Sequence, residues 1–185
     1  MRVIGWLLTL AGAIWSTGNI MLLLIAPAAF KWAPPHADLI SRAGAGAVFG
    51  SALETWSTAV VLPLVLAMVA LGWLTGTAWR NGRKPLTGLW LALMCGVWGV
   101  HSVNRSIVIE ANQVATVVRE LKTHDLANDK AAETELAARE LRFGELHIAA
   151  TRWHTVETLI ALGLLVGGSV LVLRRPGARP EPAAP

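Results

Sequence analysis

Cysteine occurs once in this 185-residue chain, at Cys95, and tyrosine does not occur at all. A single thiol excludes a disulfide framework and a thiol-rich metal motif. Neither H-x-x-x-H nor C-x-x-C is present, so no helix carries a ready-made local ligand pair. The hydrophobic segments show no internal repeat, which argues against the many transporter folds built from repeats. With tyrosine missing, the aromatic signal falls to nine tryptophans.

What is there is apolar. Hydrophobic residues make up 54% of the chain, and four stretches reach the roughly 20 residues that cross a bilayer as helix. They are 3–30, 55–79, 85–104 and 153–173, and the first is too long for a signal-peptide core of about 7–15 residues. Arg2, Arg80, Arg83 and Lys84, with Arg174, Arg175 and Arg179 of the tail, would share one side. The excess of Lys and Arg in short loops marks that side as cytoplasmic. This predicts an integral protein of a bacterial inner membrane with both termini inside. The net charge of +4 then reports topology and calls for no nucleic acid. Trp6, Trp73, Trp79 and Trp90 fall towards the inner helix ends, and Trp32, Trp56, Trp98 and Trp153 towards the outer ends, as two interfacial belts.

The expected fold is all-α: a four-helix membrane bundle, up-down, in one domain spanning 1–175. Its helices should cover about 3–30, 44–79, 85–122 and 130–173, with 176–185 a disordered tail. Ala26-Pro27 and Pro34-Pro35 should end the first helix, and 36–53 should form an interfacial helix entering the second, which Pro63 should kink. Val114, Val117, Val118 and Leu121 extend the helical pattern of 85–104 past the membrane. Thr123-His124-Asp125 and Asn128-Asp129 supply turn and cap chemistry, and Leu136, Phe143 and His147 share a face on the way back. Helices three and four should therefore form a hairpin projecting on the outer side by roughly 30 Å. Small residues (Gly18 with Ser16, Gly46 with Gly50, and Gly163 with Gly167 and Gly168) offer close-packing faces. Asn19, near mid-membrane, needs a partner inside the bundle.

Polar groups gather near the outer boundary: Glu54, His101, Asn104, Arg105, His147, Arg152, His154 and Glu157. Ionisable groups inside a membrane bundle face its interior and pair, or they serve a function. Three uses stay open. Arg105 and Arg152 could neutralise Glu54 and Glu157 in a structural plug. His101, His147 and His154 could hold haem, or His101, His154 and Glu157 a copper-like metal, with a carboxylate orienting an imidazole. A proton or ion path is the third. The expectation is that His101 and His154 face each other, with Glu157 and Arg105 completing the group.

Gly18, Ala26-Pro27, Phe30, the glycine-rich 42–50 approach and above all Phe143-Gly144-Glu145-Leu146-His147 resemble the four-helix membrane family typified by transmembrane protein 205. A remoter likeness is to copper-resistance D and membrane protoporphyrinogen-oxidase-like bundles. The first resemblance implies a four-helix bundle without a settled activity, and the second keeps haem or copper in view. His147 matches a family position, whereas His154 stands where relatives carry asparagine. The leading expectation is a non-catalytic accessory or interaction subunit of a membrane complex, with lipid and a protein as partners and no catalytic residue. A haem- or copper-handling redox protein is the alternative, and a small transporter the second alternative.

Overall fold

A computed structural model describes residues 1–32, 42–123 and 129–173. They form five helical segments: α1 (Arg2–Trp32), α2 (Arg42–Ala59), α3 (Val61–Arg80), α4 (Lys84–Leu121) and α5 (Lys130–Leu173). No strand occurs among the described residues. The sequence segments 33–41, 124–128 and 174–185 lie outside them. So do the Pro34-Pro35 helix stop, the start of the interfacial helix, most of the hairpin turn and the tail. The Ala26-Pro27 stop does not occur: α1 runs through Pro27 to Trp32, the one amide that proline lacks being too little to end the helix.

The single helix expected over 44–79 is interrupted at Val60, where α2 meets α3. Pro63 has no amide to donate to the carbonyl of Ala59, which breaks the ladder there. The rod nevertheless carries on, because the Val60 amide reaches the Trp56 carbonyl at 2.9 Å and the Leu64 amide reaches the Val60 carbonyl at 3.0 Å. Counting α2 and α3 as one rod, four helices among the described residues are long and apolar enough to cross a membrane.

Between α3 and α4 the chain turns at Gly82, whose φ of 68° suits a residue without Cβ. The Arg83 amide bonds the Ala78 carbonyl and the Gly82 amide the Trp79 carbonyl, each at 2.9 Å. This is the paired bonding that closes a helix end on a left-handed glycine. Pro85 follows in the first turn of α4, where its missing amide costs nothing. Asp129 caps α5 by accepting from the amides of Ala131 and Ala132, each at 3.0 Å.

α1 and α5 pack along a seam that runs antiparallel, Gly5 meeting Gly168 and Val172 while Gly12 meets Ala161 and Leu165. A Cβ on Gly5, Gly12 or Gly168 would strike backbone atoms of the other helix, so bare backbone sets the approach. Of the expected Gly163-Gly167-Gly168 face, only Gly168 belongs to it; Gly163 and Gly167 have open space beside them. Gly50 lies against Asn112, and the Trp56 indole lies across Gly18.

The core is layered along the bundle axis. One apolar layer contains Leu8, Trp15, Leu64, Leu71, Val97, Ala161 and Leu164. A second, in the α4–α5 hairpin, contains Ala111, Val114 and Leu146 with Ile107 and Val118 against them. On α4 both layers lie on one stripe: Val97, His101, Asn104, Val108, Ala111, Val114. Its steps of four and three keep one face towards α5. The two polar members fall between the apolar layers. The hairpin beyond is stapled by Arg142 to Glu110 at 2.6 Å and Lys122 to Glu140 at 2.7 Å.

Candidate functional site

The polar layer is centred on Glu157 of α5, which is 3% exposed. His101 Nδ1 approaches its Oε1 at 3.0 Å, and Asn104 Nδ2 donates to its Oε2 at 2.7 Å. One helical turn separates His101 from Asn104, so a single α4 face presents both donors to one carboxyl group. Against an ionised carboxyl, whose oxygens only accept, His101 Nδ1 would carry the hydrogen and turn Nε2 away from the acid. His154, one turn before Glu157, comes within 3.9 Å of Oε2 through Nδ1, and its Nε2 lies 3.4 Å from the Asn19 carbonyl. Both imidazoles thus lie beside one acid, His101 at bonding distance and His154 further off.

A second set of bonds ties the same layer to α1 and α2. Asn19 donates through Nδ2 to Thr158 Oγ1 at 3.2 Å and accepts the Trp56 indole N–H on Oδ1 at 2.8 Å. Thr158 passes its own hydroxyl hydrogen to the His154 carbonyl at 2.8 Å. The partner demanded by Asn19 is therefore two residues, one on each neighbouring helix. Trp56 is consequently an inward-pointing donor and leaves the outer belt, whereas Trp98 stays exposed.

Four of the polar residues grouped by the sequence lie elsewhere. Arg105 is exposed and does not pair with Glu157. At about 100° per residue it lies roughly 80° off the centre of the buried stripe. Arg152 is exposed too, its position five residues before Glu157 placing it roughly 140° round the helix. His147 is exposed and stacks on Phe143 at 6.1 Å, turned roughly 80° from Glu157. Glu54 accepts from Asn112 Nδ2 at 3.0 Å. Asn112 is eight residues beyond Asn104, so that contact sits roughly 12 Å further along α4. His101 and Asn104 hold Glu157, and the arginine-paired plug is not what forms.

Trp15, Trp56 and Thr158 complete the layer, beyond the polar residues that the sequence groups. The signal was available in spacing: His154, Glu157, Ala161, Leu164 and Gly168 form the buried stripe of α5 that carries Thr158 on its flank. Trp15 packs its ring edge-to-face with His101, centroids 6.1 Å apart at 85°. Among the described residues, three buried polar atoms of this layer have no partner: Trp15 Nε1, His101 Nε2 and Asn104 Oδ1.

The layer offers metal or haem one unpartnered imidazole nitrogen, His101 Nε2, because His154 Nε2 faces a backbone carbonyl. Among the described residues no three His, Cys, Asp or Glu side chains are arranged to hold a metal ion. As arranged, His101 bonds Glu157 and His154 turns its Nε2 to the Asn19 carbonyl, so the three side chains do not converge on a shared ligand position and do not fit that role. Their arrangement can hold four helical segments in one register. Comparison with family models, curated proteins and solved structures gives no match.

Proposed function

We propose that this chain is an integral membrane bundle of up-down topology that works as a non-catalytic accessory or interaction subunit. The carrying observation is that, in the buried polar layer of the described residues, both oxygens of Glu157 are taken up by side chains of a neighbouring helix. The acid is consumed by bonds between helices, which leaves the projecting α4–α5 hairpin as the surface for a partner.

Membrane residence is supported by the outer faces of the rods, where Leu10, Leu24, Leu62, Val69, Leu91, Leu159 and Val166 are all exposed. Apolar exposure on every rod is costly in water and suits hydrocarbon. Arg2 and the Arg80–Lys84 turn lie at one end, which supports placing that end in the cytoplasm of a bacterium. α5 is 44 residues long, roughly 66 Å, about twice the hydrocarbon thickness. Its first half then stands in water on the outer side beside the end of α4. The likeness to the family typified by transmembrane protein 205 belongs to this same proposal.

Mild detergent extraction followed by co-purification tests it, with a variant whose hairpin face is altered at Leu141, a 70% exposed leucine. A stoichiometric partner lost on Leu141→Glu is the expected result; a strictly monomeric protein without a partner refutes it. The haem- or copper-handling reading retains one observation, the unpartnered Nε2 of His101 with Glu157 behind its Nδ1. A visible spectrum and metal analysis of the purified protein decide it, and absence of both pigment and metal would remove it.

A further inference from the structure

Towards the end opposite the hairpin, α4 and α5 part. The polar layer and the apolar hairpin core hold them together, but beyond Val97 and Ile160 a cavity of about 700 Å³ opens between them and the ends of α1 and α3. Its walls are apolar, with Leu74, Trp90, Leu93 and Leu164 among them. Gly163 and Gly167 supply bare backbone with nothing within 4 Å of where a Cβ would sit. At the mouth the character changes abruptly to Asn81 and Arg83. Arg80 and Lys84 flank that turn, and among the described residues none of these three cations has an ion-pair partner.

We infer that this groove is a binding site for one anionic phospholipid, resting on the membrane reading above. Three features select that occupant. From Arg83 to Val97 the groove follows α4 for 14 residues, roughly 21 Å, and from Asn81 back to Leu71 it follows α3 for roughly 15 Å. One leaflet's share of a 30 Å hydrocarbon core is about 15 Å, so the slot is as deep as an acyl chain is long. Its volume lies within the roughly 300–1,000 Å³ of small-molecule sites.

Charge supplies the third feature. An apolar slot closed by unpaired cations at headgroup level fits a chain below and a phosphate above, with the Arg83 guanidinium donating to phosphate oxygens and the Asn81 amide beside it. The glycines matter because they leave the chain room: a Leu at Gly163 or Gly167 would project into the space that the chain fills.

The test uses the full-length protein in mild detergent, titrated with phosphatidylglycerol or phosphatidylcholine of identical acyl chains and read by native mass spectrometry. Wild type should hold one phosphatidylglycerol about fivefold more tightly than phosphatidylcholine, the preference expected from one basic side chain near a headgroup. Arg83→Gln, on the exposed turn, should abolish that preference while leaving helicity and elution volume unchanged. Gly163→Leu with Gly167→Leu should lose both lipids. Equal binding of the two lipids by wild type, or unchanged selectivity in Arg83→Gln, would overturn the inference even if the double variant misfolds. The membrane reading fails separately, if the protein fractionates away from membranes; a membrane-resident protein without lipid selectivity defeats the groove alone.

Discussion

Removing the Glu157 carboxyl is the perturbation that most directly separates the observed network from an arginine-paired one. In Glu157→Ala, His101 Nδ1 and Asn104 Nδ2 both lose their acceptor in a site where each residue is about 95% or more buried. A stranded buried donor costs about 1–3 kcal/mol, which would give roughly 2–6 kcal/mol for the pair. Inside a membrane the unfolded reference also finds partners, and single interhelical bonds average about 0.6 and reach about 1.7 kcal/mol. On the membrane reading proposed above these figures govern, with the short 2.7 Å Asn104 bond near their upper end. The expected loss is thus about 2–3 kcal/mol. Glu157→Gln should cost less, about 1 kcal/mol, because the amide keeps one acceptor and His101 can answer the other end by changing tautomer. Arg105→Ala should be neutral, since Arg105 is exposed and makes no bond to the acid. The assay is reversible unfolding in mixed micelles, with a double-mutant cycle between Glu157→Ala and Asn104→Ala. Additivity in that cycle, or a loss in Arg105→Ala equal to that in Glu157→Ala, would refute the reasoning.

His154→Asn should cost under about 1 kcal/mol in the same assay, because its contacts are long, 3.4 Å to the Asn19 carbonyl and 3.9 Å to Glu157. Gly12→Ala and Gly168→Ala should each lose about 1–3 kcal/mol by forcing α1 from α5, while Gly163→Ala and Gly167→Ala stay neutral; equal effects at all four would contradict the seam. Cys95 is exposed on the bundle yet sits mid-way along the apolar part of α4. In sealed vesicles it should react with a membrane-permeant maleimide and resist a charged one, and rapid labelling by the charged reagent would place that face in water. Engineered cysteines at Ala131 and Arg83 should label from opposite sides, and labelling from one side would overturn the up-down topology.

Much of the fold follows from local physics that reads directly along the chain. Apolar runs of helical length, Gly82 ahead of Pro85, Asp129 ahead of α5 and the amide missing at Pro63 act within a few residues of themselves. Their consequences therefore needed no partner to be legible. The same holds for the His101–Asn104 and His154–Glu157 turns, whose spacing places each pair on one face.

Which face meets which neighbour was decided only by tertiary packing. Arg105 and Glu157 lie at similar depth and carry opposite charges, so composition favours pairing them. The stripe from Val97 to Val114 rotates Arg105 away and delivers Asn104 instead. Likewise Trp56 looks like a belt residue until Gly18 opens a gap for its ring and Asn19 offers an oxygen to its N–H. Glycine behaves the same way: Gly163, Gly167 and Gly168 are chemically alike, yet the crossing of α1 over α5 closes on Gly168 and leaves the other two bare. Depth and residue type are properties of one helix, whereas azimuth acquires meaning only when a second helix is set against it.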